Sequence, residues 1–142
     1  PRMGMSHVIP ELTQKIIKKK KNKLFSYNHS RTFCFIDDAI NEIYLIIKTK
    51  KSLNQLYNIG SKEEIKIYDL AKKIADYLNK KKIKIIKKKD INNSPLKRLP
   101  SIKKAKKISK YKFKYNINRG LKITIDWYIK NYFSITNKEK AI

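Results

Sequence analysis

Glycine, proline, arginine, cysteine and acidic side chains are all scarce in this 142-residue chain. It has three glycines, four prolines and one cysteine, and 11 Asp and Glu stand against 36 Lys and Arg. A single cysteine excludes a disulfide framework. With only two histidines beside it, a zinc site and metal binding in general are not expected, because structural zinc takes four Cys or His ligands. Gly4, Gly60 and Gly120 lie far apart. A dinucleotide fingerprint or phosphate loop needs several clustered glycines so that the backbone can approach a phosphate, so these residues contain no such loop. No apolar run reaches the ~20 residues of a membrane helix and no signal-peptide pattern is present. No membrane partner is expected, and a cytoplasmic location is the default. The sequence begins at Pro1 rather than methionine, which fits either processing or a piece of a longer polypeptide.

What is abundant is lysine. The formal net charge is +25 and the hydrophobic fraction is 41%. That fraction fits a globular chain, and roughly 150 residues can bury about two-thirds of their unfolded surface. The charge admits two readings. One is a polyanionic partner such as nucleic acid. The other is compositional drift: Ile, Lys and Asn are enriched together while Gly, Pro, Ala and Arg are depleted together, which nucleic-acid binding gives no reason for. The second reading is favoured, so nucleic acid is not the expected partner.

The pattern along the chain is mixed α/β, with helices following strands. Apolar spacing at Ile9, Leu12, Ile16 and Ile17 predicts a helix within 7–18, stopped by the lysine run from Lys18 to Lys21. Lys23 to Tyr27 reads as a short strand and Asn28 to Ser30 as a turn. Phe33 to Ile36 reads as a strand covered on both faces. Ile40, Ile43, Tyr44, Ile46 and Ile47 follow helical spacing after Asp37 and Asp38, which are expected to cap that helix. Leu56 to Ile59 reads as a strand ending at Gly60, and 65–79 as an amphipathic helix with Ile67, Leu70, Ala71, Ile74 and Leu78 inward. A strand over 82–89, a proline-containing loop over 90–100, a short helix over 102–108 and a last helix over 117–132 complete the pattern. Lys110 to Asn116 alternates lysine with Tyr111, Phe113 and Tyr115, an alternating strand expected to pack on the last helix. Residues beyond Phe133 read as a fraying tail.

The run Arg31-Thr32-Phe33-Cys34-Phe35-Ile36-Asp37-Asp38 is the most informative. Only Arg2, Arg31, Arg98 and Arg119 among the 36 basic residues are not lysine. A guanidinium is a planar fork that can grip an anion with two parallel hydrogen bonds, which an ammonium cannot do. Arg31 therefore reads either as an anion-binding residue or as a strand-edge residue paired with Asp37, Asp38 or a backbone carbonyl. Arg98 reads as a second anion contact or a solvated charge, and Arg119 as a surface residue near a helix start. Cys34 reads as a small buried residue rather than a nucleophile, and His29 as a solvent-facing imidazole. Tyr68 and Lys72 match a bare Tyr-x-x-x-Lys spacing. Such pairs arise easily by chance in a lysine-rich chain, and no catalytic role is expected of them.

Seven ordered segments together resemble the C-terminal half of the extended short-chain dehydrogenase/reductase family, the NAD-dependent epimerases, dehydratases and decarboxylases of nucleotide-diphosphate sugars. Pro1-Arg2-Met3 resembles the end of a Tyr-Gly-Pro-Arg turn, and His7 to Glu11 the start of a substrate-side helix. Arg31 to Asp38 resembles Arg-x-Phe-x-Tyr-Val-Asp-Asp, and Tyr57 to Gly60 resembles Tyr-Asn-Ile-Gly. Ile65 to Ala71 resembles the helix start that follows. Lys97 to Ile102 with Lys104-Ala105 resembles Arg-Arg-x-Pro-Asp-Ile-x-Lys-Ala, and Gly120 to Tyr128 the final helix. The departures are a shorter turn before Arg31, Ser101 in place of Asp, and Lys110 to Phe113 in place of Gly-Trp-x-Pro.

The resemblance implies an α/β chain that is the C-terminal substrate-binding part of an extended Rossmann-type fold, lacking the N-terminal dinucleotide-binding half. Residues 1–133 would be that substrate-binding region and 134–142 a tail. Arg31 and Arg98 match the positions that clamp the diphosphate, Tyr27 lies on the strand that lines the nucleotide base, and His7 would lie near the same pocket. The implied partner is a nucleotide-diphosphate sugar, the implied cofactor NAD held by the other half, and the implied assembly a homodimer of the full-length enzyme. The implied setting is surface-polysaccharide sugar biosynthesis. The catalytic Tyr-x-x-x-Lys and the glycine-rich NAD loop would both precede Pro1, so these residues alone are expected to be inactive. The alternative from a different class is a small basic nucleic-acid-binding module.

Overall fold

The apolar positions Ile9, Leu12 and Ile16 become the buried stripe of α1 (Val8–Lys18) in a computed structural model that describes residues 2–18, 21–80, 82, 84–88 and 94–133. Pro10 sits in the first turn of α1, where its missing N–H costs no helix bond. The chain continues through β1 (Lys21–Leu24), β2 (Ser30–Thr32), α2 (Ile36–Ile47) and a 3-10 turn (Lys50–Ser52). Next come β3 (Glu64–Lys66), α3 (Ile67–Tyr77), β4 (Lys84–Lys87), β5 (Lys97–Arg98), α4 (Lys103–Ser109) and α5 (Ile117–Tyr128). A π turn (Ile129–Phe133) extends α5.

The core lies where α1, α3 and α5 meet. Ile9, Leu12 and Ile16 pack with Ile67, Leu70, Ala71 and Ile74 of α3 and Leu121 and Ile125 of α5. Each fully buried aliphatic side chain of this kind contributes roughly 1.5–3 kcal/mol. Two small sheets flank the core. β1 pairs with β4 in parallel, and β2 lies between β3, antiparallel, and β5, parallel.

Several expectations shift. The strand read over Lys23 to Tyr27 is β1 and ends at Leu24, which leaves Tyr27 in the turn before β2. Phe33 to Phe35 form no ladder; the strand ends at Thr32, and Ile36 already belongs to α2. Leu56 to Ile59 likewise have no ladder. Ile65 and Lys66 pair in β3 with Arg31 and Ser30, so α3 starts two residues late. The stretch over 110–116 is neither strand nor helix. The strand read over 82–89 is β4, with Ile83 and Lys89 outside the described residues, as are the tail over 134–142 and part of the 90–100 loop.

Asp37 and Asp38 are not caps. Phe35 is the N-cap residue of α2 and makes no side-chain cap hydrogen bond. Asp38 is fully buried in the first turn instead. Its carboxylate accepts from the Tyr111 hydroxyl and from the backbone N–H groups of Lys114 and Tyr115, each at 3.0 Å. This carboxylate replaces a ladder as the anchor of the 111–115 segment. Of the rings of that segment, Tyr115 meets α5 as expected, with the Arg119 guanidinium 4.5 Å from its centroid, and also stacks on Phe35, with centroids 4.3 Å apart, while the Lys106 ammonium lies 3.4 Å from the Phe113 centroid.

A candidate anion site between paired arginines

The parallel pairing of β2 with β5 places Arg31 directly opposite Arg98. Both line one cavity of about 450 Å³ between α1, β1 and this sheet. Val8, Glu11 and Lys15 of α1 form one wall, and Lys23, Phe25 and Ser26 another. Four cations therefore face one carboxylate, and that carboxylate, Glu11, is paired with Lys15 one helical turn on. Burial, followed by the neighbouring charge of Arg98, lowers the pKa of Arg31. Two guanidiniums side by side repel, and an anion with two charges relieves that repulsion.

The two arginines are held differently. Arg31 Nη1 donates to the carbonyls of Ser30 at 2.7 Å and Pro95 at 3.0 Å, with Leu96 at the margin of 3.5 Å, while Nη2 donates to Ser94 Oγ at 3.2 Å. The Ser30 N–H donates to the Leu96 carbonyl at 2.8 Å. Arg31 thus fastens the loop that carries Arg98. Arg98 is exposed, and its guanidinium has no hydrogen bond or ion pair among the described residues.

The other sequence candidates fall outside the lining. His7 is exposed just before α1, its N–H donating to the Gly4 carbonyl at 3.0 Å; its neighbour Val8 is the residue that reaches the cavity. Tyr27 stacks on Tyr68 of α3, with centroids 4.5 Å apart, while Phe25 and Ser26 reach the cavity. Tyr68 lies beneath the Lys72 ammonium, 4.6 Å from the ring centroid. A hydrogen bond from Lys72 lowers the pKa of Tyr68, whereas burial and the contact with Tyr68 raise that of Tyr27.

His29, read as a solvent-facing imidazole, is buried, with Nδ1 3.4 Å from Ser94 Oγ. Its backbone carbonyl accepts from Ile67 N–H at 3.0 Å. Burial first, then the carboxylates of Asp38 and Glu42, push the Cys34 thiol up to about 11, which leaves it a poor nucleophile at neutral pH. Lys15 and Lys23 escaped the sequence reading because nothing distinguishes them from the other lysines. Only their facing positions on α1 and β1 do. A larger cavity, about 970 Å³, lies elsewhere, between the 61–63, 99–103 and 111–116 stretches. It is lined by lysine and aromatic side chains and contains no guanidinium, so the smaller cavity is the better anion site.

No family model matches the chain. Among curated proteins it is 29% identical over 123 residues to the uncharacterized protein MJ1055 of Methanocaldococcus jannaschii, covering 85% of this chain and 37% of that protein. It is 27% identical over 125 residues to the dTDP-D-glucose 4,6-dehydratase of Mus musculus, covering 79% and 33%. Its structure superposes on the dTDP-glucose 4,6-dehydratase of Bacillus anthracis, solved in complex with NAD, with a TM-score of 0.80 at 24% identity, over 92% of this chain and 42% of that one. The UDP-glucuronic acid 4-epimerase of Bacillus cereus, solved with UDP-glucuronic acid and NAD, gives 0.82 at 24% identity, over 93% and 42%.

The fold is that of the C-terminal part of an extended short-chain dehydrogenase/reductase. The chain spans about a third of the length of the curated relatives it matches and about two-fifths of that of the solved structures. In this short-chain dehydrogenase/reductase fold, the paired arginines lie where two short strands of the C-terminal part meet.

Proposed function

We propose that this chain is the substrate-binding region of an NAD-dependent nucleotide-diphosphate-sugar epimerase, dehydratase or decarboxylase, and that the Arg31–Arg98 cavity holds the diphosphate. The observation that carries this reading is the register of Arg31 against Arg98 in a cavity with a surplus of positive charge. A diphosphate is a double anion, and one planar fork beside a second cation holds it in a fixed orientation, which positions the attached sugar for reaction. Arg98 makes the direct contact, and Arg31 both adds charge and fixes the loop beneath Arg98. Phe25 and Ser26 border the cavity beside the arginines and offer a surface for the rest of the ligand.

NAD, which the named neighbours contain, does not fit these residues. No glycine has a positive φ, and Gly60 and Gly120 face Pro100 and Phe35 rather than an open phosphate cradle. On the family resemblance we place the hydride acceptor and the catalytic base outside these residues, so that the chain by itself is expected to turn over no substrate. The enzyme works as a homodimer that supplies sugars for surface polysaccharide.

In an active polypeptide that contains this chain, Arg98→Lys and Arg31→Lys each raise KM for the nucleotide sugar about tenfold or more, the first because an ammonium keeps the charge and loses the fork, the second because it no longer fastens the loop beneath Arg98. Steady-state kinetics on the two variants check this, and a KM equal to that of the parent enzyme sinks the clamp.

A further inference from the structure

Compositional drift accounts for how many lysines the chain has, but not for where carboxylates are missing. The stretches 12–36 and 77–89 carry thirteen lysines and one arginine, and neither an Asp nor a Glu. The chain's 11 acidic residues spread evenly would put about three there. Strand pairing lays the two stretches side by side. β1 runs parallel to β4, with Lys21 opposite Lys84, Asn22 opposite Ile85, Lys23 opposite Ile86 and Leu24 opposite Lys87.

The face this builds carries one sign of charge. Asn22 and Leu24 of β1 are buried, and Lys21 and Lys23 alternate with them on the solvent side. Lys84 and Lys87 of β4 and Lys88 just beyond it are exposed as well. None of these five lysines has an ion pair among the described residues. Like charges directly opposite each other destabilise a pair of strands, and Lys21 against Lys84 is such a pair. The strands thus keep a concentrated positive potential despite its repulsion.

That face opens into the arginine cavity. Lys23 lines the cavity, and so does Phe25, whose ring centroid lies 4.3 Å from the Lys88 ammonium. A strand of four residues spans about 13 Å and the Debye length at physiological salt is about 8 Å, so charges along β1 are felt at the cavity mouth. A cleft lined by one sign of charge raises the association rate of an oppositely charged ligand by about 10- to 1,000-fold. We infer that the β1–β4 face is a capture surface for the nucleotide-sugar anion. Lys21, Lys84 and Lys87 draw the diphosphate in, and Lys23 and Lys88 pass it on to Arg31 and Arg98. The first three lysines act on how fast the ligand arrives, not on how long it stays. This inference rests on the diphosphate reading above and adds the route by which that ligand enters.

The test follows association of the fluorescent methylanthraniloyl derivative of UDP with the 142-residue chain by stopped flow. The association rate constant of the parent chain is expected to fall about tenfold from low to physiological salt. The triple variant Lys21→Gln, Lys84→Gln, Lys87→Gln lowers the low-salt association rate constant about fivefold or more and leaves the dissociation rate constant unchanged, since it removes charge outside the bound contact. Arg98→Ala acts chiefly on the dissociation rate constant, which separates the two roles. A second triple variant, Lys103→Gln, Lys107→Gln, Lys112→Gln, loses the same charge from exposed positions on α4 and the stretch after it, and changes either constant by less than about twofold. All these side chains are exposed, so each triple variant keeps the circular dichroism of the parent chain. A face variant as fast as the parent, or a second variant slowed as much as the first, overturns the capture surface while the clamp stands. A single-stranded oligonucleotide held far more tightly than UDP through the same three lysines does so too. No saturable binding in the parent chain overturns the clamp and the capture surface with it.

Discussion

Arg31 is fastened to carbonyls and to Ser94, while Arg98 stands opposite it with its guanidinium free of hydrogen bonds among the described residues. The scarcity of arginine pointed to both, but nothing in the sequence showed that one would steady the loop of the other. That relation needs the pairing of two strands separated by some 65 residues of chain. Asp38 is a comparable case. In sequence it is a carboxylate at a helix start. In the fold it is a buried acceptor for three donors from 111–115. Asp38→Ala leaves two backbone N–H groups and a phenol without their acceptor at a part-buried site, at about 1 kcal/mol for each group. Urea unfolding is expected to show a loss of about 3 kcal/mol or more. A loss below 1 kcal/mol would mean that the 111–115 segment does not depend on this carboxylate.

Among the elements, the helices and the strands β1 and β4 were legible, and the other strands were not. α1, α3 and α5 carry apolar residues at helical spacing, and those residues are the core. β2, β3 and β5 are two or three residues long and exist only through distant partners, so no local pattern announces them. α2 was legible as a helix, but its spacing did not tell which side would be buried. Its polar side is held by α4, where Ser109 Oγ donates to Glu42 at 2.9 Å and Lys106 pairs with the same oxygen at 3.1 Å.

The contact between α3 and α5 has a pH signature. Tyr77 donates to Asp126 Oδ1 at 2.5 Å, and this hydrogen bond, chiefly, pushes its pKa up to about 12. The neutral phenol is the form favoured by folding, so its contribution is fully present below the ordinary tyrosine pKa of 10. It declines as pH rises from 10 through about 12. The stability gap between the parent chain and Tyr77→Phe is expected to be constant up to pH 10 and to close by pH 12. A gap that persists beyond that range contradicts the hydrogen bond.

At the scale of the whole molecule, the chain has a helical core where α1, α3 and α5 meet and an exposed apolar face on α2. The fold class and the ordered segments were legible because they rest on residue types at fixed spacing. The unpaired backbone at 54–60 and the buried polar side of α2 were not, because which side of a helix is buried depends on distant partners, here Ser109 and Lys106 on Glu42. The net charge of +25 does not itself define the site. The aromatic residues that could have stacked on bases are engaged elsewhere, Tyr115 on Phe35 and Tyr111 on Asp38.

The claim that the paired arginines form a diphosphate site is tested most directly by calorimetric titration of UDP-glucose into the 142-residue chain and its Arg98→Ala variant at matched ionic strength. The account predicts saturable one-to-one binding that weakens at least tenfold in the variant, since a charge-assisted bidentate contact is lost. Binding of equal strength in both proteins, or no saturable binding in the parent chain, would contradict it.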